Sequence, residues 1–497
     1  MIQKKSLIGF EGRDKLVKGA NYIADAVKKT FGPGGQDIAL EKGNRVTNDG
    51  ITIAREMLGS QEDEVEERGG VLFVDAMSKA NDQSGDGSTT AAILTQSVLK
   101  ACLPLLPSKD RLVGKMSGMQ LKKKVLAEKE EIVAKLKELA APVKSEQELI
   151  DIATVSVDDK ELGELIGKAQ WELGEDGFIL AEEVNDKKSS IERIKGLYLD
   201  NGFGTQMVIN NQEKEALELK NVPVIYTNHT ISDIAIIQGV IESLIKMGNT
   251  NIVIMARAFT NEAIQQCMKN MESGLGLFPL NAPYTDQGEV MQDLEAILGG
   301  RFINVDTDSL DNLQVSDVGH ATHILAKRST TVFAGEGKNV EERVKELEKR
   351  REGTGSDFER TNLTKRIAQL QNGFALLKVG APTVLERKFL KDKADDAVNA
   401  VRAALQEGTV KGGGQALNEI AEELPDDYIL KNAIRAPYQE LIHNAGSDFV
   451  IEDWVRDSVK VIRIALECAC SAAPIIATAA GAVVTKRPSE LETLLRK

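Results

Sequence analysis

Three glycine-containing turns stand beside helix ends: Gly32-Pro33-Gly34-Gly35, Gly85-Asp86-Gly87-Ser88-Thr89-Thr90 and Gly412-Gly413-Gly414. Glycine lets backbone N–H groups come close to a phosphate. The Ser88-Thr89-Thr90 step opens a helix, which adds free N–H groups, a positive dipole end and hydroxyl donors. Asp86 would repel a bare phosphate but suits a Mg²⁺ ion that phosphates share. Asp49, in Thr47-Asn48-Asp49-Gly50, and Asp396, in the Asp395-Asp396 pair, add carboxylates able to orient or deprotonate water beside Mg–ATP. None of the turns matches G-x-x-x-x-G-K-S/T, and no G-x-G-x-x-G is present. Taken singly, each turn reads equally as an ordinary turn or helix cap, and each Asp as a residue that suits a helix's first turn.

The elements that must hold these residues follow from periodicity. Leu16, Ala20, Ile23 and Val27 predict a helix over Asp14–Thr30, broken at Gly32. Short strands are expected at Ile38–Leu40 and Arg45–Thr47, then helices at Gly50–Met57, Val71–Ala80, Ser88–Cys102 and Met119–Ala140, the last closed by Pro142. The centre changes character. Apolar β-type runs at Val222–Tyr226, Ile252–Met255 and Leu275–Leu280 alternate with helical runs at Ile231–Met247, Asn261–Met271 and Gln287–Leu298. That alternation predicts a parallel sheet covered by helices. Val340–Arg351 and Phe358–Leu370 read as an antiparallel pair of charged helices, with Ser356 and Glu359 in capping-box spacing. Lys391–Gln406 is a further amphipathic helix, ended by Gly408. The fold class is multi-domain, α and α/β. A helical domain is built from both chain ends, and a mixed domain is inserted between them.

Composition narrows the function. The 497 residues suggest about three domains. The net charge of −14 argues against nucleic acid or an anionic membrane as partner, because both are polyanions. Four cysteines exclude a disulfide scaffold and fit a reducing, cytoplasmic compartment. Cys468 and Cys470 are expected as small core thiols. Met1–Phe10 is too short in apolar run for a signal peptide. Val461–Val484 carries Arg463, Glu467 and Pro474, so a buried core helix is expected rather than a membrane span.

Together these residues resemble the group I (GroEL-type) chaperonins. Ala24-Asp25-Ala26-Val27 through Gly35 resembles the family's first nucleotide loop, and Asn48 through Glu56 its next block. Ser78 through Ala91 contains Gly85-Asp86-Gly87-Ser88-Thr89-Thr90-Ala91, close to the signature GDGTTTA with Ser88 in place of the first Thr. Lys378-Val379-Gly380-Ala381, Asp396-Ala397, Gly408 and Gly412-Gly413-Gly414 follow in family order over essentially the whole chain. The resemblance implies an equatorial ATP-binding domain at 1–138 and 407–497, an intermediate hinge domain at 139–194 and 375–406, and an apical client-binding domain at 195–374. It implies a homo-oligomeric ring, most often seven-membered and single or double, that hydrolyses ATP with Mg²⁺ to fold non-native proteins. K⁺ is a further candidate ion, and a co-chaperonin lid a candidate partner.

Carried over by position, Thr30, Gly32, Pro33, Asn48, Asp86, Gly87, Ser88, Thr89, Thr90, Gly413 and Asp457 would bind nucleotide, with Asp86 on the metal. Asp396 would activate the attacking water, and Asp49 would stand near the γ-phosphate. Pro142 and Gly408 match a lower hinge, and Gly196 and Gly373 an upper one. Phe203, Met207, Val208, Ile237, Ile241, Ile264 and Met268 match client-binding positions. The plainer alternative is that they pack their own domain.

The sequence also departs from the family. Gln238 and Lys269 replace apolar apical residues, and Asn48 replaces a common Lys. The segment Ser447–Arg456 is much shorter than the excursion that supplies adenine and inter-ring contacts. The stretch Leu103–Lys115 is longer than usual, and Thr485–Lys497 lacks Gly-Gly-Met repeats. Two other readings compete: a ring-shaped ATP-binding scaffold or holdase without efficient refolding, and a small-molecule kinase using glycine loops.

Overall fold

The computed structural model describes residues 4–41, 45–175, 177–199, 201–211, 216–283, 287–328, 330–446 and 448–485. Ser447 and residues 486–497, which figure in two of the departures above, lie outside the described residues. The chain forms two compact units. Unit 1 holds residues 1–175, 181–190 and 377–497; unit 2 holds 176–180 and 191–376. Residues 139–175 and 377–406 group with unit 1.

Unit 1 begins with strand β1 (Lys4–Ile8) and helix α1 (Phe10–Val27), then strands β2 (Ile38–Leu40) and β3 (Arg45–Thr47). Helices α2 (Gly50–Glu56), α3 (Glu64–Ser84), α4 (Ser88–Cys102), α5 (Gly118–Glu138), α6 (Glu146–Val157) and α7 (Lys160–Leu173) follow. Helix α3 starts seven residues before the expected Val71. Asp63 caps it, accepting from Val65 N and Glu66 N. The acidic first turn hides this start from an apolar pattern, yet suits the helix dipole. Helix α5 opens on a full capping box between Ser117 and Gln120.

The chain passes between the units in strands β4 (Ile179–Glu183) and β5 (Ser190–Ile194). Unit 2 then contains β6 (Gly196–Leu199), β7 (Leu217–Tyr226), β8 (Thr230–Ile231), α8 (Gln238–Lys246), β9 (Asn251–Ala256), β10 (Ala258–Phe259), α9 (Asn261–Glu272), β11 (Gly276–Asn281), α10 (Gln287–Leu298), β12 (Gly319–Ala326), β13 (Thr331–Ala334), α11 (Val340–Gly353) and α12 (Asp357–Asn372). Its six-stranded sheet has order β11-β9-β7-β12-β13-β6. Only β11, β9 and β7 are parallel; β7–β12, β12–β13 and β13–β6 are antiparallel. The parallel sheet expected from alternation is therefore mixed. The helical crossovers α8 and α9 set the parallel half, whereas β12 and β13 join by a short link that only an antiparallel pair can use.

The helix expected over Ile231–Met247 is also broken up. Ile231 belongs to β8, and Asp233 caps a short 3₁₀ turn at Ile234–Ile237 by accepting from Ala235 N. The capping box at Ser356 forms by half. Ser356 Oγ accepts from Glu359 N, while the Glu359 carboxylate accepts from Thr354 Oγ1 instead.

Strand β14 (Phe374–Val379) returns the chain to unit 1. Helix α13 (Val384–Glu407), β15 (Thr409–Lys411), α14 (Gln415–Glu423), α15 (Leu430–Ala433), α16 (Ala436–Ala445), β16 (Arg456–Ser458), α17 (Val459–Thr478) and β17 (Gly481–Thr485) complete it. One core joins α1, α3, α4 and α5 to α14 and α17, so both chain ends build it. Among the described residues, α17 is the one helix long and apolar enough to cross a membrane. Most of its apolar residues, from Val459 to Ala477, are buried in that core, as are Cys102 and Cys470.

Candidate functional site

The first glycine turn follows directly from the end of α1. Thr30 is buried, and its hydroxyl donates to Val27 O at 2.8 Å. Gly32 takes φ +77°, which favours glycine. The Asn444 side chain donates to Lys28 O at 2.9 Å and Phe31 O at 3.0 Å, tying this turn to the end of α16. A Cβ on Gly34 would lie 2.2 Å from Asn444 O, so only glycine fits there.

Asp49 caps α2, accepting from Ile51 N at 3.3 Å and Thr52 N at 3.2 Å. A Cβ on the next residue, Gly50, would meet Thr89 Oγ1 at 2.5 Å and Ser88 Oγ at 3.3 Å. The start of α2 therefore lies against the start of α4. That start follows Gly85 and Gly87, both left-handed, with φ +73° and +80°. The Asp86 carboxylate accepts from Gly87 N. Asn399 of α13 donates to Gly85 O at 3.0 Å, which seats α13 on this turn.

Helix α13 carries Asp396 to the same place. Burial pushes the Asp396 carboxyl well up from its ordinary value, and Asp86, Asp49 and Asp395 push it the same way, while Lys393 opposes them. Asp86 is raised too, by burial against the pull of Gly87 N–H and Lys393, with Asp49 adding to the rise. Asp457 lies in β16, paired with Val410 of β15. It accepts from Gly414 and Gly413 N–H, yet burial raises it to about 6, with Asp86 adding to the rise. Asp86 thus repels both Asp396 and Asp457, and Asp49 repels Asp86 and Asp396, beside two glycine turns. Leu441 links the remaining turns: it lies 3.1 Å from the Cβ position of Gly32 and 3.4 Å from that of Gly413.

Lys393, Asn399 and Asn444 were not singled out from the sequence. Lys393, Asp396 and Asn399 recur every three residues and so share one helix face, a signal that was available. Asn444 follows from no local pattern.

Pro142 and Gly408 meet across an exchange of backbone hydrogen bonds between Ala141 and Thr409, at 2.8 and 2.9 Å. Gly408 has φ +81°. Gly196 and Gly373 lie together within unit 2. A Cβ on Gly196 would stand 2.4 Å from Phe374, and one on Gly373 2.2 Å from Ile194 O.

The expected apolar client surface is largely absent at the matched positions. Ile237 and Ile241 are buried with Ile234, Val240 and Leu244, because the 3₁₀ turn and α8 direct them at the sheet. Phe203 and Val208 are buried as well, Ile264 and Met268 are half-buried, and Met207 is exposed. Gln238 and Lys269 are exposed, as are Ile236, Ile245 and Met247.

A crystal structure of the chaperonin gp146 from the bacteriophage EL 2 (Pseudomonas aeruginosa) in the presence of ATP-BeFx is similar to this chain. It has a TM-score of 0.66 at 19% identity, covering 97% of this chain and 99% of that one. A second crystal form of the same protein gives 0.59 at 20%, with the same coverage. This likeness is one of fold. A model of the TCP-1/cpn60 chaperonin family matches residues 23–449. The chain belongs to the TCP-1/cpn60 chaperonin family.

Proposed function

We propose that this chaperonin is an ATP-driven folding machine that works as a homo-oligomeric ring in the cytoplasm. The observation that carries the reading is the convergence of Asp49, Asp86 and Asp396 on the Gly85–Thr90 turn. Carboxylates held this close repel one another, and hard oxygen donors beside free N–H groups fit a divalent cation carrying phosphates. Mg²⁺ bound there would neutralise the phosphates and polarise the terminal one. Asp86 would hold the ion, and Gly87, Ser88, Thr89 and Thr90 the phosphates. Asp49 would stand by the terminal phosphate, and Asp396, with its raised pKa, would take the proton of the attacking water. Thr30, Gly32, Pro33, Asn48, Gly413 and Asp457 would complete the nucleotide pocket. K⁺ is a second candidate ion near Asn48. That gp146 was crystallised with ATP-BeFx supports a nucleotide here.

The three-domain division belongs to the same proposal. Pro142 with Gly408, and Gly196 with Gly373, would let residues 139–194 and 375–406 move between the equatorial and apical parts. Asp396, on α13, would then arrive and leave with that movement. A ring of seven would have a mass of 7 × 54.0 = 378 kDa, and two rings twice that. A co-chaperonin lid would close it.

Asp396→Ala should leave ATP binding near wild type and slow turnover by about 10²–10⁴-fold, the usual worth of general base catalysis. Binding by calorimetry and phosphate release separate the two steps. Loss of binding in the variant sinks the role given to Asp396. A second reading, a holdase that retains clients without efficient refolding, is favoured by one observation. Gln238 and Lys269 are exposed where Ile237 and Ile241 are buried. Refolding yield with and without ATP decides between them.

A further inference from the structure

Helix α13 brings a cation to the site together with Asp396. Phe389, Lys393, Asp396 and Asn399 follow one another at four-, three- and three-residue steps, so they share one face of the helix. Asn399 ends that row on Gly85 O at 3.0 Å, which fixes the face on the Gly85–Thr90 turn. Lys393 stands one turn before Asp396. Its charge acts on Asp396 and on Asp86, which lies in the glycine turn itself.

Lys393 gives this charge to no structural partner. Among the described residues its ammonium makes no hydrogen bond and no ion pair, and it lies 6.0 Å from the centre of the Phe389 ring. The nearby Lys391 is buried and donates to Asp395 instead. Lys393 and Phe389 are half-buried, so the ammonium sits where a charge counts for more than in bulk water. A base that takes the proton of water attacking the γ-phosphate must bring a carboxylate up to a phosphate. Like charges resist that approach. A cation one turn away on the same helix face travels with the carboxylate and offsets the repulsion.

We propose that Lys393 is a catalytic residue of ATP hydrolysis: its ammonium donates to an oxygen of the γ-phosphate, from the same helix face that presents Asp396 to the attacking water. The proposal deepens the nucleotide reading above and rests on it. In the step, the water oxygen bonds to the γ-phosphorus, the bond from that phosphorus to the β–γ bridging oxygen breaks, and Asp396 takes the water proton. ADP and phosphate leave. Lys393 keeps its proton throughout and meets the charge on the transferring phosphoryl oxygens, as cationic clamps do in phosphoryl transfer.

The test is steady-state ATP hydrolysis by full-length Lys393→Gln, which removes the charge and keeps much of the side chain's length. The expected result is a kcat lower by about 10²–10³-fold, the usual worth of one such donor, with KM within about threefold of wild type. Calorimetry adds a readout that a structural role would not move. ADP with aluminium fluoride, which mimics the phosphoryl group in transfer, should lose affinity by a similar factor, and a non-hydrolysable ATP analogue should bind as it does to wild type. Lys393→Arg keeps the charge and should hold kcat within about tenfold of wild type. Where Lys393→Gln fails to fold, Lys393→Met is read by the same measurements. An unchanged kcat in the neutral variant, or equal losses for the two ligands, overturns the proposal and leaves the nucleotide reading standing. A fall in Lys393→Arg as large as that in the neutral variant overturns the role of the charge. No ATP hydrolysis by the wild type overturns this proposal and the nucleotide reading together.

Discussion

Two carboxylates in unit 1 show how surroundings decide what an Asp does. Asp63 and Asp457 each accept from two backbone N–H groups. Burial raises both. At Asp63 it is outweighed by the hydrogen bond from Lys15 Nζ and by the N–H groups of Val65 and Glu66, and the carboxyl falls to about 2. At Asp457 no cation among the described residues answers it, and the carboxyl rises to about 6. A folded-state value below the unfolded one stabilises the protein above about pH 4, and that contribution is lost as pH falls towards 2. Asp63→Ala should therefore cost about 1–2 kcal/mol at pH 7, the usual worth of a helix cap. The difference from wild type should shrink steadily below pH 4. Urea midpoints measured at pH 7 and near pH 2.5 check both halves. The residues with chemistry were readable from type and neighbourhood, because glycine turns and helix starts are local. Asn444 was not, since it acts on residues distant in sequence.

At the scale of elements, close packing of helices depends on glycines that no periodicity reveals. Helices α1 and α3 cross where a Cβ on Gly19 would lie 1.8 Å from Glu66 O, and one on Gly69 2.0 Å from Leu16 O. Gly19→Ala cannot be met by a side-chain shift, because the obstacle is backbone. A loss of about 3 kcal/mol is expected by overpacking, read from the thermal midpoint. Helices α10, α11 and α12 are joined differently. The buried Asp293 accepts from Arg343 Nε at 2.8 Å and Arg366 Nε at 2.7 Å, and Glu289 accepts from Arg343, Arg350 and Arg366. Asp293→Ala leaves two guanidinium groups without their buried partner and should cost about 3–5 kcal/mol. These helices looked merely charged in the sequence. Their charges instead include a buried ion-pair network, because Arg343 and Arg366 turn inwards to an acid some fifty or more residues away.

At the scale of the molecule, unit 2 is an insertion whose clusters draw on its own residues. The clusters around Phe333 and around Ile254 lie between Leu197 and Leu370. A fragment of residues 176–376, which keeps Phe178 and Leu180 in the cluster with Phe374, should therefore fold alone with a single cooperative urea transition. Circular dichroism and dispersed amide resonances would show it, and a gradual transition would show that the insertion needs its host. Unit 1 has the opposite property. Its core takes residues from Ala20 to Leu136 and again from Val410 to Ala477, so neither end can build it without the other.

The sequence by itself determined the fold class, the helical character of both chain ends, the position of the inserted α/β unit and the glycine turns with their carboxylates. Each of these depends on interactions among neighbours: the helical repeat, the cap, the left-handed turn. Tertiary structure alone decided the rest. It set the mixed sheet, because strand direction depends on how the chain returns. It buried Ile237 and Ile241, because a 3₁₀ turn rotates the face that follows it. It assembled Asp49, Asp86, Asp396 and Asp457, because only folding brings together charges separated by hundreds of residues, where burial makes their repulsion count.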